Sequence, residues 1–529
     1  MVFCNTLHSL PLASVDTAPS PTPKSKELPP AALPPVLGAQ EGRNLILCFD
    51  GTGGEYDKDV SNIVRFFQML KKGDPSRQMV YYQPGIGTGI KNTSANPFLK
   101  KFSVIVDAAI ANGLPTHVRG GYEFLMNNYK EGDRISLFGY SRGAYTARAL
   151  AGMLQKVGLL PADNREQIKF AYRNYQKDDE EGWKMSQGFK RAYSIDVKID
   201  FVGVFDTVNS VGLTPRELPF ANSNYLIRVF RHALALDERR TKYEPNLWGH
   251  TTEMNEELIK CSTHEIHGWI NKIWNYISGG KNTKRCRAYK CDNSDTPIHW
   301  DGHDFASPEE RPHETDVKEV WFAGAHGDIG GGAVENDTPN DLARIPLRWM
   351  VRQCFAKKTG ILFHSSELKA IGLDPASLLS LPVTKVPTPS KAKLADANKG
   401  GSACNKENTT ADMQVVSAPL PDVSKLVQDK KVRLGTTEDE KDAVQKIHDP
   451  MSLYPIWWIL ELFLIKERYQ RSDGTWRSLL LMDLGKPRVI PDQKQLPTLV
   501  HRSVLYRMQQ PDLQYEPRAK LLENIEYVD

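Results

Sequence analysis

The segment from Arg134 to Gly158, RISLFGYSRGAYTARALAGMLQKVG, constrains the fold of this chain more than any other. An apolar run, Ile135–Phe138, leads into Gly139-Tyr140-Ser141-Arg142-Gly143, and strong helix formers follow. That order is strand, sharp turn, helix, with a serine on the turn, and it matches the G-x-S-x-G nucleophile elbow. The demand behind the pattern is steric. Strand and helix nearly touch at such a turn, so the residues two before and two after the serine, Gly139 and Gly143, must be small. The serine takes a strained backbone conformation, and its Oγ stands clear above the helix N-terminus, whose N–H groups favour developing negative charge. Ser141 is therefore the candidate nucleophile.

The rest of the chain supplies matching elements. NLILCFDG (44–51), QMVYYQ (78–83), KIDFVGVFDTV (198–208) and VKEVWFAGAH (317–326) read as buried strands. VSNIVRFFQMLKK (60–72), LPTHVRGGYEFLMNNYK (114–130) and DLARIPLRWMVRQCF (341–355) read as helices, with Pro346 marking a kink or a first turn. Apolar strands alternating with helices imply an α/β fold: an α/β-hydrolase-like, mainly parallel central sheet flanked by helices.

Around that sheet the chain divides by composition. Residues 1–42, rich in Pro, Ser and Ala, are expected to be a disordered tail, because they bury too little apolar area to offset their ordering entropy. The catalytic domain is expected over 43–355. Within it, 209–316 is expected to form an inserted helical cap carrying Trp248, Trp269 and Trp274. Residues 366–445 are expected to be a largely disordered loop, with the polar stretch 384–410 at its centre. Residues 446–529 are expected to form a helical segment packing on the catalytic domain.

Composition excludes several classes. The hydrophobic fraction of 40% is that of an ordinary globular chain with a sizeable core. A net charge of +4 spread over 529 residues, with no dense basic stretch, argues against nucleic acid as a partner. The seven cysteines are scattered and odd in number, which fits a reducing compartment. No secretory signal is evident. The run YPIWWILELFLI (454–465) is too short to span a bilayer and is interrupted by Glu461. It reads first as a core helix and leaves room for peripheral membrane contact, so the chain is expected to be cytoplasmic.

A serine nucleophile needs a base and an orienting acid. In this fold they follow in the order Ser, acid, His. Asp206 closes the strand FVGVFD and His326 closes VWFAGAH, so both stand where a buried strand gives way to a loop. Asp237 and Asp328 are rival acids; His232, His250 and His303 are rival bases. The FDGTGG loop after the first strand is expected to give half of an oxyanion hole through the backbone of Gly51 or Thr52. Its counterpart is the N–H of Arg142, and Asp50 is expected to order the loop. A catalytically inactive scaffold of the same fold is the alternative. A haloacid-dehalogenase reading of LCFDGT fails because Cys48 stands where that chemistry needs an aspartate. Cys286, Cys291, His299, Asp301, His303 and His313 lack zinc-finger spacing, so neither metal nor cofactor is expected.

Beyond these patterns, LILCFDGTGG, SNIVRFF, YYQPGIGTG, ISLFGYSRGAYTARALAGML, FVGVFDTVNSVG, RHALALDERR, VWFAGAHGDIGGG and LARIPLRWM occur in this order. The series resembles the type VI secretion lipase effector-like hydrolases, a family long known only as a domain of unknown function and with many fungal members. The resemblance spans roughly 43–355, and PIWWILELF is similar to the fungal members. It implies an α/β-hydrolase fold, puts Ser141, Asp206 and His326 on the nucleophile, acid and base blocks, and points to a lipid or phospholipid ester substrate. The bacterial members are phospholipases delivered into rival cells. Nothing in the tail or in the loop near 384–410 resembles a delivery signal, so that role does not carry over.

Overall fold

The computed structural model describes residues 42–86 other than 53 and 55, 104–208, 218–249, 315–379, and 433–529 apart from short stretches between 455 and 495. In chain order the main elements are β1 (Asn44–Phe49), α1 (Asn62–Met69), β2 (Gln78–Gln83), α2 (Val104–Asn128), β3 (Arg134–Tyr140) and α3 (Arg142–Val157). They continue with β4 (Ile199–Phe205), β5 (Ile227–Ala235), β6 (Asp316–Phe322), β7 (Ile465–Gln470), β8 (Trp476–Leu481), β9 (Thr498–His501) and β10 (Ile525–Val528). Eight strands form one sheet in the order β10-β9-β6-β5-β4-β3-β1-β2. Every pairing in it is parallel. The fold is α/β and α/β-hydrolase-like, as the sequence pattern requires; β7 and β8 form a separate antiparallel hairpin.

Strand β1 shows why the sheet lies inside. All six of its residues are buried, the mark of a parallel strand covered on both faces. Its side chains alternate between two cores. Leu45, Leu47 and Phe49 join α2 and α3 residues such as Tyr122, Leu125, Leu150 and Leu154. Ile46 and Cys48 join Ile63 and Phe66 of α1 and Trp349 and Met350 of the helix Arg344–Ala356. Pro346 occupies the first turn of that helix, where a missing N–H breaks no helical bond.

Three expectations about organisation are corrected. The span 209–316 is not a continuous cap, because β5 lies inside it and fills the sheet position between β4 and β6. Arg231 and His232 disguise β5 as a surface segment, yet both are buried. Arg231 donates to Asp316 at 2.9 Å and to Gln353 at 2.8 Å, and His232 Nδ1 lies 2.8 Å from Glu319. These partners offset the desolvation of the two side chains. Residues 250–314, with Trp269, Trp274, His250, His303 and the cysteine–histidine cluster, lie outside the described residues.

The ends of 366–445 are helical at Pro375–Leu379 and Thr437–Ala443, and Ser365–Ala370 overlaps its start. Asp439 and Asp442 of the last helix hold Arg348 at 2.6 Å each. Residues 380–432 lie outside the described residues, as do 1–41. The C-terminal segment is not purely helical either, since it adds β9 and β10 to the main sheet. These strands have four residues each, too few for alternation to identify them. Most of the apolar run 454–465 is outside the described residues; of its helical part, Trp458 is exposed. Among the described residues no helix is long and apolar enough to cross a membrane.

Candidate active site

Ser141 stands between β3 and α3 with φ 57° and ψ −122°, a left-handed conformation that costs a non-glycine residue on the order of 1–3 kcal/mol. Its surroundings hold it there: the Ser141 N–H donates to the Phe205 carbonyl at 3.0 Å. A Cβ on Gly139 would lie 2.6 Å from the Ala144 Cα. One on Gly143 would lie 2.3 Å from the carbonyl oxygens of Phe49 and Asp50. Both glycines are therefore steric requirements of the turn.

Three side chains chosen from distant parts of the sequence meet here. His326 Nε2 lies 2.8 Å from Ser141 Oγ, and its Nδ1 lies 2.5 Å from Asp206 Oδ2. All three residues are buried. Asp206 follows β4 directly, at φ 41°, with its N–H donating to the Ala233 carbonyl at 2.7 Å. His326 does not end a strand: β6 stops at Phe322, and His326 opens the short helix His326–Gly330. The imidazole lies between two aromatic rings, Tyr140 and Tyr243, each with its centroid 4.8 Å away.

The rival residues are near but do other things. Asp237 accepts from the Gly324 N–H at 2.7 Å, the Tyr515 hydroxyl at 2.8 Å and the Arg518 N–H at 3.0 Å. Asp328 accepts from the Ala325 N–H at 2.9 Å and from the His448 N–H at 2.9 Å. Both brace the turn that delivers His326. His232 Nε2 accepts the Thr207 N–H at 3.0 Å, beside Asp206 in the chain.

The loop after β1 lies against Ser141. A Cβ on Gly51 would come 2.8 Å from the Tyr140 ring and 3.5 Å from Ser141 Cβ, so only glycine permits this approach. Asp50 accepts from Ser61 Oγ at 2.6 Å, Tyr82 hydroxyl at 2.8 Å and the Gly51 N–H at 2.7 Å. The last bond turns the Gly51 amide toward Asp50 rather than toward an oxyanion. Of the two candidates in the loop, Thr52 remains; its buried Oγ1 has no hydrogen-bond partner among the described residues. Arg142 is the first residue of α3, so its amide stands at that helix N-terminus beside Ser141.

Sequence reasoning missed the charged groups around this line. Arg488, from the C-terminal segment, donates to both oxygens of Asp206, at 2.6 and 3.0 Å. Glu238 accepts the His326 N–H at 3.2 Å and pairs with Arg240 at 2.7 Å. The Arg240 guanidinium in turn covers the rings of Tyr243 and Trp457. Glu238 and Arg240 lie in RHALALDERR, a block visible in the sequence, whereas Arg488 belongs to no motif.

Burial would raise the Asp206 carboxyl, but the charges of Arg488 and His326 outweigh it and hold it well below the usual carboxylate range. Glu238 is likewise held down, at about 2, where Arg240 overcomes burial. Burial pushes the His326 imidazole below its ordinary value; Asp206 opposes this and Arg240 adds to it. Neutral imidazole is the form that accepts a proton. The acidic limb of kcat/KM is therefore expected below ~6.5, the ordinary imidazole value. A pH profile on a soluble ester measures it, and a limb above ~6.5 contradicts this electrostatic account.

Known proteins resemble this chain in sequence. The family model described as T6SS, phospholipase effector Tle1-like, catalytic domain matches residues 43–353. An uncharacterized protein of Saccharomyces cerevisiae is 28% identical over 586 aligned positions, covering 94% of this chain and 84% of the relative. An uncharacterized protein from Pseudomonas aeruginosa of known structure aligns with a TM-score of 0.33 and 16% identity, over 64% of this chain and 50% of that one. The Tle1 effector bound to the VgrG spike of the type 6 secretion system aligns with a TM-score of 0.25 and 14% identity, over 55% and 51%. The chain thus spans about half the length of these two solved proteins.

Proposed function

The chain belongs to the family of Tle1-like phospholipase effector catalytic domains of type VI secretion, and from that membership we propose that it is a serine hydrolase of lipid carboxylic esters, with phospholipids first among its substrates. The observation that carries the reading is the hydrogen-bonded line from Ser141 Oγ through His326 to Asp206, at 2.8 and 2.5 Å. Arranged so, His326 Nε2 takes the Ser141 proton as Oγ attacks the ester carbonyl. Asp206 holds the imidazole in the tautomer that presents Nε2 as the acceptor and stabilises the cation that forms. The oxyanion of the tetrahedral intermediate is received by backbone N–H groups of Arg142 and Thr52. Collapse expels the alcohol, protonated by His326, and leaves an acyl-Ser141 ester. Water activated by the same imidazole then releases the fatty acid.

Two features favour a lipid substrate: the family is named for phospholipase effectors, and Tyr243 sets an aromatic ring against His326, with Trp457 packed edge-on to that ring at 5.7 Å. The decisive assay offers the purified protein phospholipids in vesicles and micelles, acylglycerols, and short p-nitrophenyl esters. Phospholipid turnover with release of free fatty acid is the expected result. Strong turnover of soluble esters with none on any lipid defeats the lipid reading and leaves a serine esterase. Inertness toward every ester, with no fluorophosphonate labelling of Ser141, leaves an inactive scaffold.

A further inference from the structure

The acid of the Ser141–His326–Asp206 line has a second partner that an α/β-hydrolase triad does not require. Arg488 Nη1 donates to Asp206 Oδ1 at 2.6 Å and Nη2 to Oδ2 at 3.0 Å, a fork that engages both carboxylate oxygens. Both side chains are buried. The same guanidinium donates to the Ala235 carbonyl at 3.1 Å and to the Tyr243 carbonyl. One side chain thus ties the end of β4, the end of β5 and the loop whose tyrosine ring packs on His326. Arg488 lies well outside residues 43–353, the span matched by the catalytic-domain family.

We propose that Arg488 is a positioning residue for Asp206, so that the C-terminal segment completes the active site of the catalytic domain. The inference rests on the serine-hydrolase reading above. Two physical consequences separate it from a merely structural ion pair. First, a planar fork fixes the plane of the carboxylate, as a point charge cannot. With Oδ1 also accepting the Ala235 N–H at 3.0 Å, Oδ2 is left facing His326 Nδ1 in a single orientation. Second, the fork neutralises part of the charge that His326 feels. His326 and Arg488 bond to the same oxygen, Oδ2, so their positive charges oppose each other directly.

The other groups around His326 are fixed in character. Tyr140, at the end of β3, is kept neutral chiefly by burial. Glu238 and Arg240, beyond β5, compensate each other, and Tyr243 offers its ring. Loss of the Arg488 charge therefore stabilises the imidazolium and raises the pH at which the base becomes active.

The test compares full-length wild type, Arg488→Lys and Arg488→Met by the pH profile of kcat/KM on a short p-nitrophenyl ester. Fluorophosphonate labelling and thermal melting are run alongside. Arg488→Met is expected to move the acidic limb upward by about one pH unit, the usual effect of one charge at this range. Arg488→Lys is expected to keep the wild-type limb but lose roughly tenfold in kcat with KM little changed, since an ammonium cannot fork. Where the methionine variant does not fold, Arg488→Gln, still able to donate to one oxygen, reads the same limb. A limb that stays in place in the neutral variants overturns the proposal, as does a lysine variant with full kcat. If wild type itself is neither active nor labelled at Ser141, the serine-hydrolase reading falls and takes the proposal with it. Labelled, active wild type with unmoved limbs removes the Arg488 role alone.

Discussion

Replacing Ser141 with alanine is expected to lower kcat by about a millionfold, the scale seen when a triad nucleophile is removed. The loss should leave the fold nearly untouched. Alanine meets the same strain at φ 57° as serine does, because both carry a Cβ. Among the described residues the hydroxyl hydrogen-bonds to His326, a bond worth about 1 kcal/mol net. Thermal melting should therefore stay within a few degrees of wild type, by the usual conversion for a large domain. Fluorophosphonate labelling should vanish together with ester hydrolysis. Wild-type turnover in this variant would mean that another group attacks the ester, and the assignment of Ser141 would fall.

What the sequence discloses, and what it hides, follows from how local each constraint is. The turn at Ser141 is local: Gly139 and Gly143 answer clashes with residues within five positions or with the adjoining strand β1, so the pattern shows in a short window. Strands β1, β3 and β4 are legible for the same reason, each being a compact apolar run in a doubly covered sheet. Strand β5 escapes because Arg231 and His232 break its apolar run. Their partners, Asp316, Glu319 and Gln353, lie 85 or more positions away. Strands β9 and β10 escape because four residues carry too little periodicity.

The candidate site divides in the same way. Ser141 and Asp206 are legible as candidates from their places at a turn and a strand end, whereas His326, four residues beyond the end of β6, is legible only from its order along the chain. The donor choice in the β1 loop is not, because it depends on the Asp50 carboxylate capturing the Gly51 amide at 2.7 Å. Arg488 is invisible from sequence, since it lies in LGKPRVI, without motif or periodicity, and its partner Asp206 is 282 positions away. Only the folded chain reveals that Asp206 is shared between an imidazole and a guanidinium.

That sharing determines what Asp206→Asn should do. The amide removes the charge that stabilises the imidazolium and favours the wrong imidazole tautomer. Activity is expected to fall by about ten-thousandfold, as for the equivalent change in other triads. Unlike Ser141→Ala, this variant should also lose stability, because Arg488 remains buried after losing the carboxylate it forks. Breaking one side of a buried pair costs about 3–5 kcal/mol. The double variant Asp206→Asn/Arg488→Met is therefore expected to melt closer to wild type than Asp206→Asn, while activity stays lost.

Asp237→Asn and Asp328→Asn should lower melting temperature more than they lower kcat. Their oxygens accept from Gly324, Ala325, Tyr515 and His448 rather than from the His326 ring. Steady-state kinetics and thermal melts on the four variants separate these outcomes. If Asp328→Asn or Asp237→Asn proves the inactive one and Asp206→Asn retains its rate, the acid must be reassigned, and Arg488 becomes a structural residue beside a carboxylate that catalysis does not use.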